Sequence, residues 1–301
     1  MTSKSKGPDM TPAMGNGASI RIITAERERW VSFLRPHLLL RALFQQRALI
    51  VEFTRREIAA RYKGLRLGHL WAFLNPLLFL AIYTVVFGLI LHVRWPESRS
   101  DSFMEFATTL FCGLIFFNVL NESAIRATSV LMENRNYVKR AVFPFEILPF
   151  CTVTTALFHG LVSLIALVAV HWAIGGGVHL SLLAAPLLLL PLAFLAAGMA
   201  WGLACLGVVI RDVQQAVAPL LMALFFLTPI LYSPSMVPGP LWQFARLNPL
   251  AFLVDGMRRA VLWGLPLDTG ALILCTLACA GVMILGYAAF MSARDNVVDA
   301  L

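Results

Sequence analysis

Between Glu146 and Arg211 the chain runs for 64 consecutive residues without an Asp, Glu, Lys or Arg, and Gly175, Gly176 and Gly177 divide that stretch almost in half. A bilayer asks for about 20 apolar residues per helical crossing. The run therefore predicts a helical hairpin, one helix near Leu148 to Trp172 and the other near Leu180 to Ile210, with the glycines turning the chain between them. Composition agrees with a membrane protein: 59% of residues are hydrophobic and 13% charged, with mean hydropathy +0.78, where soluble domains carry about 25% charged residues.

Four further apolar segments complete the pattern. Leu67 to Val93 gives 27 uncharged positions, Phe106 to Asn121 a second span, Val213 to about Tyr232 a fifth and Thr269 to Ala293 a sixth. Ser233, Pro234, Pro238 and Pro240 stop the fifth. Six crossings put both termini on one side. Lys and Arg collect on the cytoplasmic face, and with an inside N-terminus 19 of them fall inside and 5, Arg94, Arg99, Arg246, Arg258 and Arg259, outside. The expectation is an all-α multi-pass protein of the cytoplasmic (inner) membrane with both termini cytoplasmic.

The formal charge of +8 is concentrated, with 13 of the 24 Lys and Arg before Leu67. That distribution reads as a basic skirt facing anionic lipid, not as a nucleic-acid surface. Residues 1–43 read as a cytoplasmic extension, disordered over Met1 to Ile20 and lacking the apolar core of a signal peptide. Residues 44–64 read as an interfacial helix: Leu49, Ile50, Phe53 and Ala60 share one face, although Glu57 interrupts it. A helix in the cytoplasm is the other reading of that segment. Residues 65–301 form the six-span domain, with a cytoplasmic loop over 125–146 and an outside region over 233–268.

Several chemistries are excluded. Cys112, Cys151, Cys205, Cys275 and Cys279 all lie in apolar runs, without the spacing of a disulfide framework or a zinc site. No Gly-Lys pair exists, hence no phosphate-binding loop of the G-x-x-x-x-G-K-[ST] kind. Any ATP would be bound by another polypeptide. A proton-driven carrier keeps ionisable groups inside its spans, yet Glu105, Glu122 and Glu146 fall at span ends and only His159 lies deep. His159 serves either neutral packing or a proton relay. A membrane glycosyltransferase would need convergent acids, and Asp101, Glu105, Asp255 and Asp268 are scattered without DxD spacing.

Four stretches carry a resemblance. They are RYKGLRLGHLWAFLNPL with YTVVFG at Arg61 to Gly88, ENRNYVKRAVFPFEILP at Glu133 to Pro149, RDVQQAVAPLLMALFFLTPILY at Arg211 to Tyr232, and NPLAFLVDGMRRAVLWG at Asn248 to Gly264. Together they resemble the permease subunits of ABC-2-type polysaccharide exporters, which move O-antigen, capsule or teichoic-acid polymers. The resemblance implies the ABC-2 (type V) exporter fold and a homodimer with two copies of a P-loop ATPase, which binds the ATP and Mg. It also implies a polyprenyl-linked polysaccharide substrate and no catalytic, metal or cofactor site in this chain.

The same resemblance implies roles for residues. Asn134, Arg135, Tyr137, Lys139 and Arg140 would couple to the ATPase, although an ordinary positively charged loop would read similarly. Lys63, Arg66, Leu67 and Gly68 would border the inner mouth, the two basic residues attracting lipid phosphates. Trp71, Asn75, Tyr83, Phe87, Phe116, Phe117, Phe225 and Tyr232 would line the channel, where ring faces stack on sugars; lipid-facing or core packing explains the same aromatics. Asp255, Arg258 and Arg259 would belong to an outer gate, or to an interfacial anchor with Trp242 and Trp263 at the headgroups. An ABC-2 permease for a drug or lipid shares all of these features except the cargo.

Overall fold

The computed structural model describes residues 36–91, 95, 103–139, 143–175, 177, 180–239 and 247–301. The described residues fold into helices without a strand. Residues 1–35, and with them most of the N-terminal extension, lie outside the described set, as do Gly176, Arg94, Arg99, Asp101, Arg140, Pro240, Trp242 and Arg246.

Two helices precede the first span, α1 (Pro36–Gln45) and α2 (Arg47–Tyr62). The first span opens with a 3-10 turn, Gly68–Leu70, continues as α3 (Trp71–Tyr83) through Pro76, and ends in a wide π turn, Thr84–Ile90. Then come α4 (Phe103–Glu133), the single-turn α5 (Arg135–Val138), and α6 (Ile147–Ala173). Gly175 adopts φ +85° after α6, the left-handed conformation that glycine adopts at little cost. The hairpin closes through a 3-10 turn, Leu180–Ala184, into α7 (Ala185–Val209). The remaining elements are α8 (Val213–Leu227), α9 (Pro249–Val261), α10 (Thr269–Ser292) and α11 (Arg294–Ala300).

Among the described residues five helices are long and apolar enough to cross a bilayer, which makes this a multi-pass membrane protein. The expected fifth crossing is shorter: α8 has 15 residues, about 22 Å at 1.5 Å per residue, against a hydrocarbon core of about 30 Å. Its end has a covalent cause. Thr228 leaves the helical region at φ −90°, ψ 133° because Pro229 clashes with a helical residue before it. The second span departs the other way, continuing past Asn121 to a full 31 residues. Glu122 and Arg126 do not end it, because both have partners on α2, Arg61 and Glu57.

The core centres on α4, α6, α7 and α10. Their close approach depends on small residues: an added Cβ on Gly207 would collide with the Thr128 backbone of α4, and one on Gly286 of α10 with the Gly198 backbone of α7. Of the Gly198 and Gly202 pair in α7, only Gly198 is at such a contact; a Cβ added at Gly202 would meet no other described element within 4 Å. Trp201, fully buried on α7, donates from Nε1 to the Glu146 carbonyl at 2.9 Å and so ties α7 to the start of α6.

Candidate functional site

The polar chemistry gathers at the basic end of the bundle, where α2 lies against α4 and α6. Ile50 packs on Ile147 and Cys151 in a small apolar cluster. The Thr54 and Thr154 hydroxyls are 2.6 Å apart. Leu49, placed by its spacing on the same face, is exposed instead. Glu57, which interrupts that face on paper, turns inward and is received. Its carboxylate pairs with Arg126 at 2.5 Å and accepts a hydrogen bond from the Thr155 hydroxyl at 3.1 Å. Burial holds the Glu57 carboxyl above its ordinary range, opposed in part by the Arg126 guanidinium and the Thr155 hydroxyl.

One turn further, Arg61 forms an ion pair with Glu122 of α4, and His159 of α6 places Nδ1 3.0 Å from the same carboxylate. His159 is therefore part of an ionic cluster, not a lone imidazole in an apolar helix. Its Nε2 is buried without a hydrogen-bond partner among the described residues. Tyr62 covers the cluster, its ring 6.0 Å from that of His159 and nearly perpendicular.

Beyond this cluster a cavity of about 270 Å³ opens between α2, α3, α4 and α6, lined among others by Trp71, Asn75, Phe79, Tyr83, Asn118 and Asn121. A groove of about 600 Å³ on the other side is lined by Glu57, Ile125, Arg126 and Glu133. The two spaces share Arg61, Asn121 and Glu122. The Arg61–Glu122 pair thus stands on the wall between them.

Of the residues expected at the mouth, Lys63, Arg66 and Leu67 are exposed on the turn between α2 and α3, and Gly68 has φ +49°. Trp71, Asn75 and Tyr83 line the cavity, while Phe87 continues the row of rings, 6.2 Å from Tyr83 and 5.9 Å from Phe106. Phe117 and Phe225 pair across α4 and α8 at 4.9 Å, and the Tyr232 hydroxyl donates to the Phe226 carbonyl at 2.9 Å. Phe116 departs from expectation: it is 0% exposed inside the core, with no surface for a channel. It lies one residue from Phe117, and one step along a helix is 100°, enough to turn from the lined face to the packed one.

On α5, Tyr137 faces inward against Phe53 of α2 and Phe143, both at 5.3 Å between ring centres. Arg56 donates to its hydroxyl at 3.0 Å. Asn134 donates back to the Val130 carbonyl at 2.9 Å, leaving Arg135 and Lys139 on the exposed side. The fifth expected member, Arg140, lies outside the described residues.

At the opposite end, Asn248 caps α9 by accepting from the Leu250 amide at 3.0 Å and donates to the Thr228 hydroxyl at 2.8 Å. Arg258 is buried. It donates to the carbonyls of Thr109, Pro229 and Ile230 at 3.1, 2.9 and 2.9 Å and lies 4.4 Å from the centre of the Trp95 ring. The Pro229 and Ile230 carbonyls belong to the backbone just past the end of α8 and that of Thr109 to α4, so Arg258 braces the end of α8 against α4 and presents no charge to solvent. Asp255 and Arg259, at 4.0 Å, are the partly exposed pair of that helix. The Thr228 to Tyr232 stretch and the segment starting at Asn248, quoted separately as motifs, are thus one hydrogen-bonded unit. Nothing in their separation along the chain announces it.

A bundle of apolar helices with an amphipathic helix on its basic end, a polar cavity opening there and a short exposed helix beside it has the build of a membrane permease. The description "ABC-2 type transporter" matches residues 48–262, and the chain belongs to that family. Among similar proteins, the O-antigen export system permease RfbA of Myxococcus xanthus is 30% identical over 199 residues, 66% of this chain and 74% of that protein. RfbA of Klebsiella pneumoniae is 28% identical over 211 residues, covering 70% and 78%. The polysialic acid transport protein KpsM of Escherichia coli is 28% identical over 216 residues, covering 69% and 79%.

Proposed function

We propose that this chain is the membrane subunit of an ATP-driven exporter that carries a lipid-linked polysaccharide, of the O-antigen kind, across the cytoplasmic membrane. The observation that carries the reading is membership of the ABC-2 family over 48–262, together with relatives whose names state O-antigen export and polysialic acid transport. The chain has no phosphate-binding loop, so ATP and Mg belong to a separate P-loop subunit, two copies of which serve a homodimer of this chain. In this arrangement both termini are cytoplasmic, Arg135, Lys139 and Arg140 meet the motor, and Tyr137 passes its movement to α2 through Arg56 and Phe53. Lys63, Arg66, Leu67 and Gly68 border the mouth, where the two cations attract the phosphates of a polyprenyl carrier.

Deletion of the gene tests the reading. Surface glycan should disappear while its lipid-linked form accumulates inside the cell; unchanged surface glycan defeats it, and loss of drug resistance alone replaces it with a drug permease. For the motor contact, Tyr137→Ala should reduce the ATPase that co-purifies with the permease, and full recovery in both Tyr137→Ala and Arg140→Ala removes the assignment.

A further inference from the structure

Three helices meet at the basic end of the bundle with matched spacing. Glu57 and Arg61 of α2, Glu122 and Arg126 of α4, and Thr155 and His159 of α6 each stand one helical turn apart. They stack as two layers with one residue from each helix. In the first, the Glu57 carboxylate pairs with Arg126 and accepts from the Thr155 hydroxyl at 3.1 Å. In the second, the Glu122 carboxylate pairs with Arg61 and lies 3.0 Å from His159 Nδ1.

The order of charges fixes how α2 lies along α4. Pairing Glu57 with Arg126 and Arg61 with Glu122 sets the two helices antiparallel, and Glu precedes Arg on both. Sliding α2 by one turn, about 6 Å, would set Glu57 against Glu122 in one direction and Arg61 against Arg126 in the other. The two carboxylates are only 15% and 17% exposed, so solvent and salt screen such a clash poorly. Buried ion pairs add little net stability, and their best-attested use is to specify register. Towards the start of α2 the fastening continues through the Thr54 and Thr154 hydroxyls and through Ile50 on Ile147 and Cys151. The same helix receives α5: Tyr137 packs on Phe53 and accepts from Arg56, immediately before the first layer.

We infer that Glu57, Arg61, Glu122 and Arg126 are positioning residues for transport: they clamp α2, α4 and α6 in one register, so that movement received at α5 reaches the second span without slip between α2 and α4. The inference rests on the ATP-driven export reading and adds to it the route by which the permease passes on the motor's movement.

The test uses the full-length permease co-expressed with its ATPase subunit in the host. Ala60→Cys and Ile125→Cys, at positions lining the groove between α2 and α4, are joined by membrane-permeant bis-methanethiosulfonate linkers of graded length. Each single substitution, treated alike, controls for the native thiols. The cross-linked permease is expected to deliver surface glycan at the wild-type rate, because the helices it joins do not move past each other. A loss of tenfold or more confined to the doubly substituted protein overturns the inference, since the pairs must then open in each cycle. Arg61→Glu should uncouple: its purified complex keeps hydrolysing ATP while export falls at least tenfold, a split that a folding defect would not give. Reversing all four charges together, Glu57→Arg, Arg61→Glu, Glu122→Arg and Arg126→Glu, restores the alternation and should return export. Wild-type export in Arg61→Glu, or none from the reversed set recovered at wild-type yield, also overturns the clamp; if either charge variant does not accumulate, the cross-link decides alone. Surface glycan intact after gene deletion overturns the export reading, whereas export by wild type that stops in the cross-linked protein removes only the clamp.

Discussion

Over an apolar stretch of 18 residues, the first span, Gly68–Phe87, has a mean hydropathy of 2.0 and is 17% buried within the chain; the second, Met104–Glu133, has 1.4 over such a stretch and is 78% buried there. The more apolar helix is the less covered one. Water-soluble proteins order their helices the other way, because there apolarity is what drives burial. In a bilayer lipid tails are as apolar as leucine, so hydropathy reports that a helix crosses but not what lies beside it. Neighbours are chosen by small residues and by polar pairs, and α4 has both: the Thr128 backbone against Gly207, Val119 against Gly160, and Glu122 and Arg126 paired with α2. On α3, Phe73, Leu77, Leu78 and Ile82 are all exposed, which leaves a face for lipid, for a second copy or for cargo.

The largest expected effect breaks the packed side. Gly207→Leu pushes a side chain into the α4 backbone, a displacement that flexible side chains cannot absorb, and should cost about 3 kcal/mol or more. Size-exclusion chromatography should recover little monodisperse protein. Gly202→Leu, five residues away with open space around it, should change stability by about 0.5 kcal/mol or less. Equal damage from both would mean that α7 is not held to α4 by close backbone approach.

The second effect sets the two spans against each other with one chemical change. Phe116→Ala on α4 empties a fully buried site and should lower stability by about 3 kcal/mol, read as a fall in the thermal unfolding midpoint in detergent. Phe79→Ala removes a ring that is 49% exposed on α3 and should cost under about 1 kcal/mol. Similar midpoints for the two variants would erase the distinction between a packed and an open span.

The same distinction explains what could be read from the amino-acid order. Crossings were legible because an uncharged run is a local property: α6, α7 and α10 begin and end within a few residues of where composition places them. Partners were not, because no period links Arg61 to Glu122, Glu57 to Arg126, or Arg258 to Pro229. Read alone, Glu122 resembles a helix end and Arg258 a charge at a gate. Next to their partners they become an interior pair and a brace. Phe116 failed for a smaller reason, since apolar residues on both sides of α4 conceal which of two adjacent rings points inward. The end of α8, by contrast, was written locally in Thr228-Pro229, and reading Pro229 as the stop in place of Pro234 would have found it.

The smallest expected effect asks whether α2 belongs to the packed side, through Glu57. Burial raises its carboxyl above the ordinary value of 4.5 despite the cation of Arg126. The folded chain therefore holds this proton at a pH where the unfolded chain has released it. Its contribution to stability is complete below 4.5 and is lost as pH rises through the raised value. Glu57→Gln carries no titrating group, so the unfolding midpoint of wild type minus that of the variant should fall as pH increases from about 4.5 towards neutrality. A difference that instead rises over that range would mean that the Arg126 pair outweighs the loss of solvation. Arg126 would then be what fastens α2 to α4, and Arg126→Met would be the more damaging change.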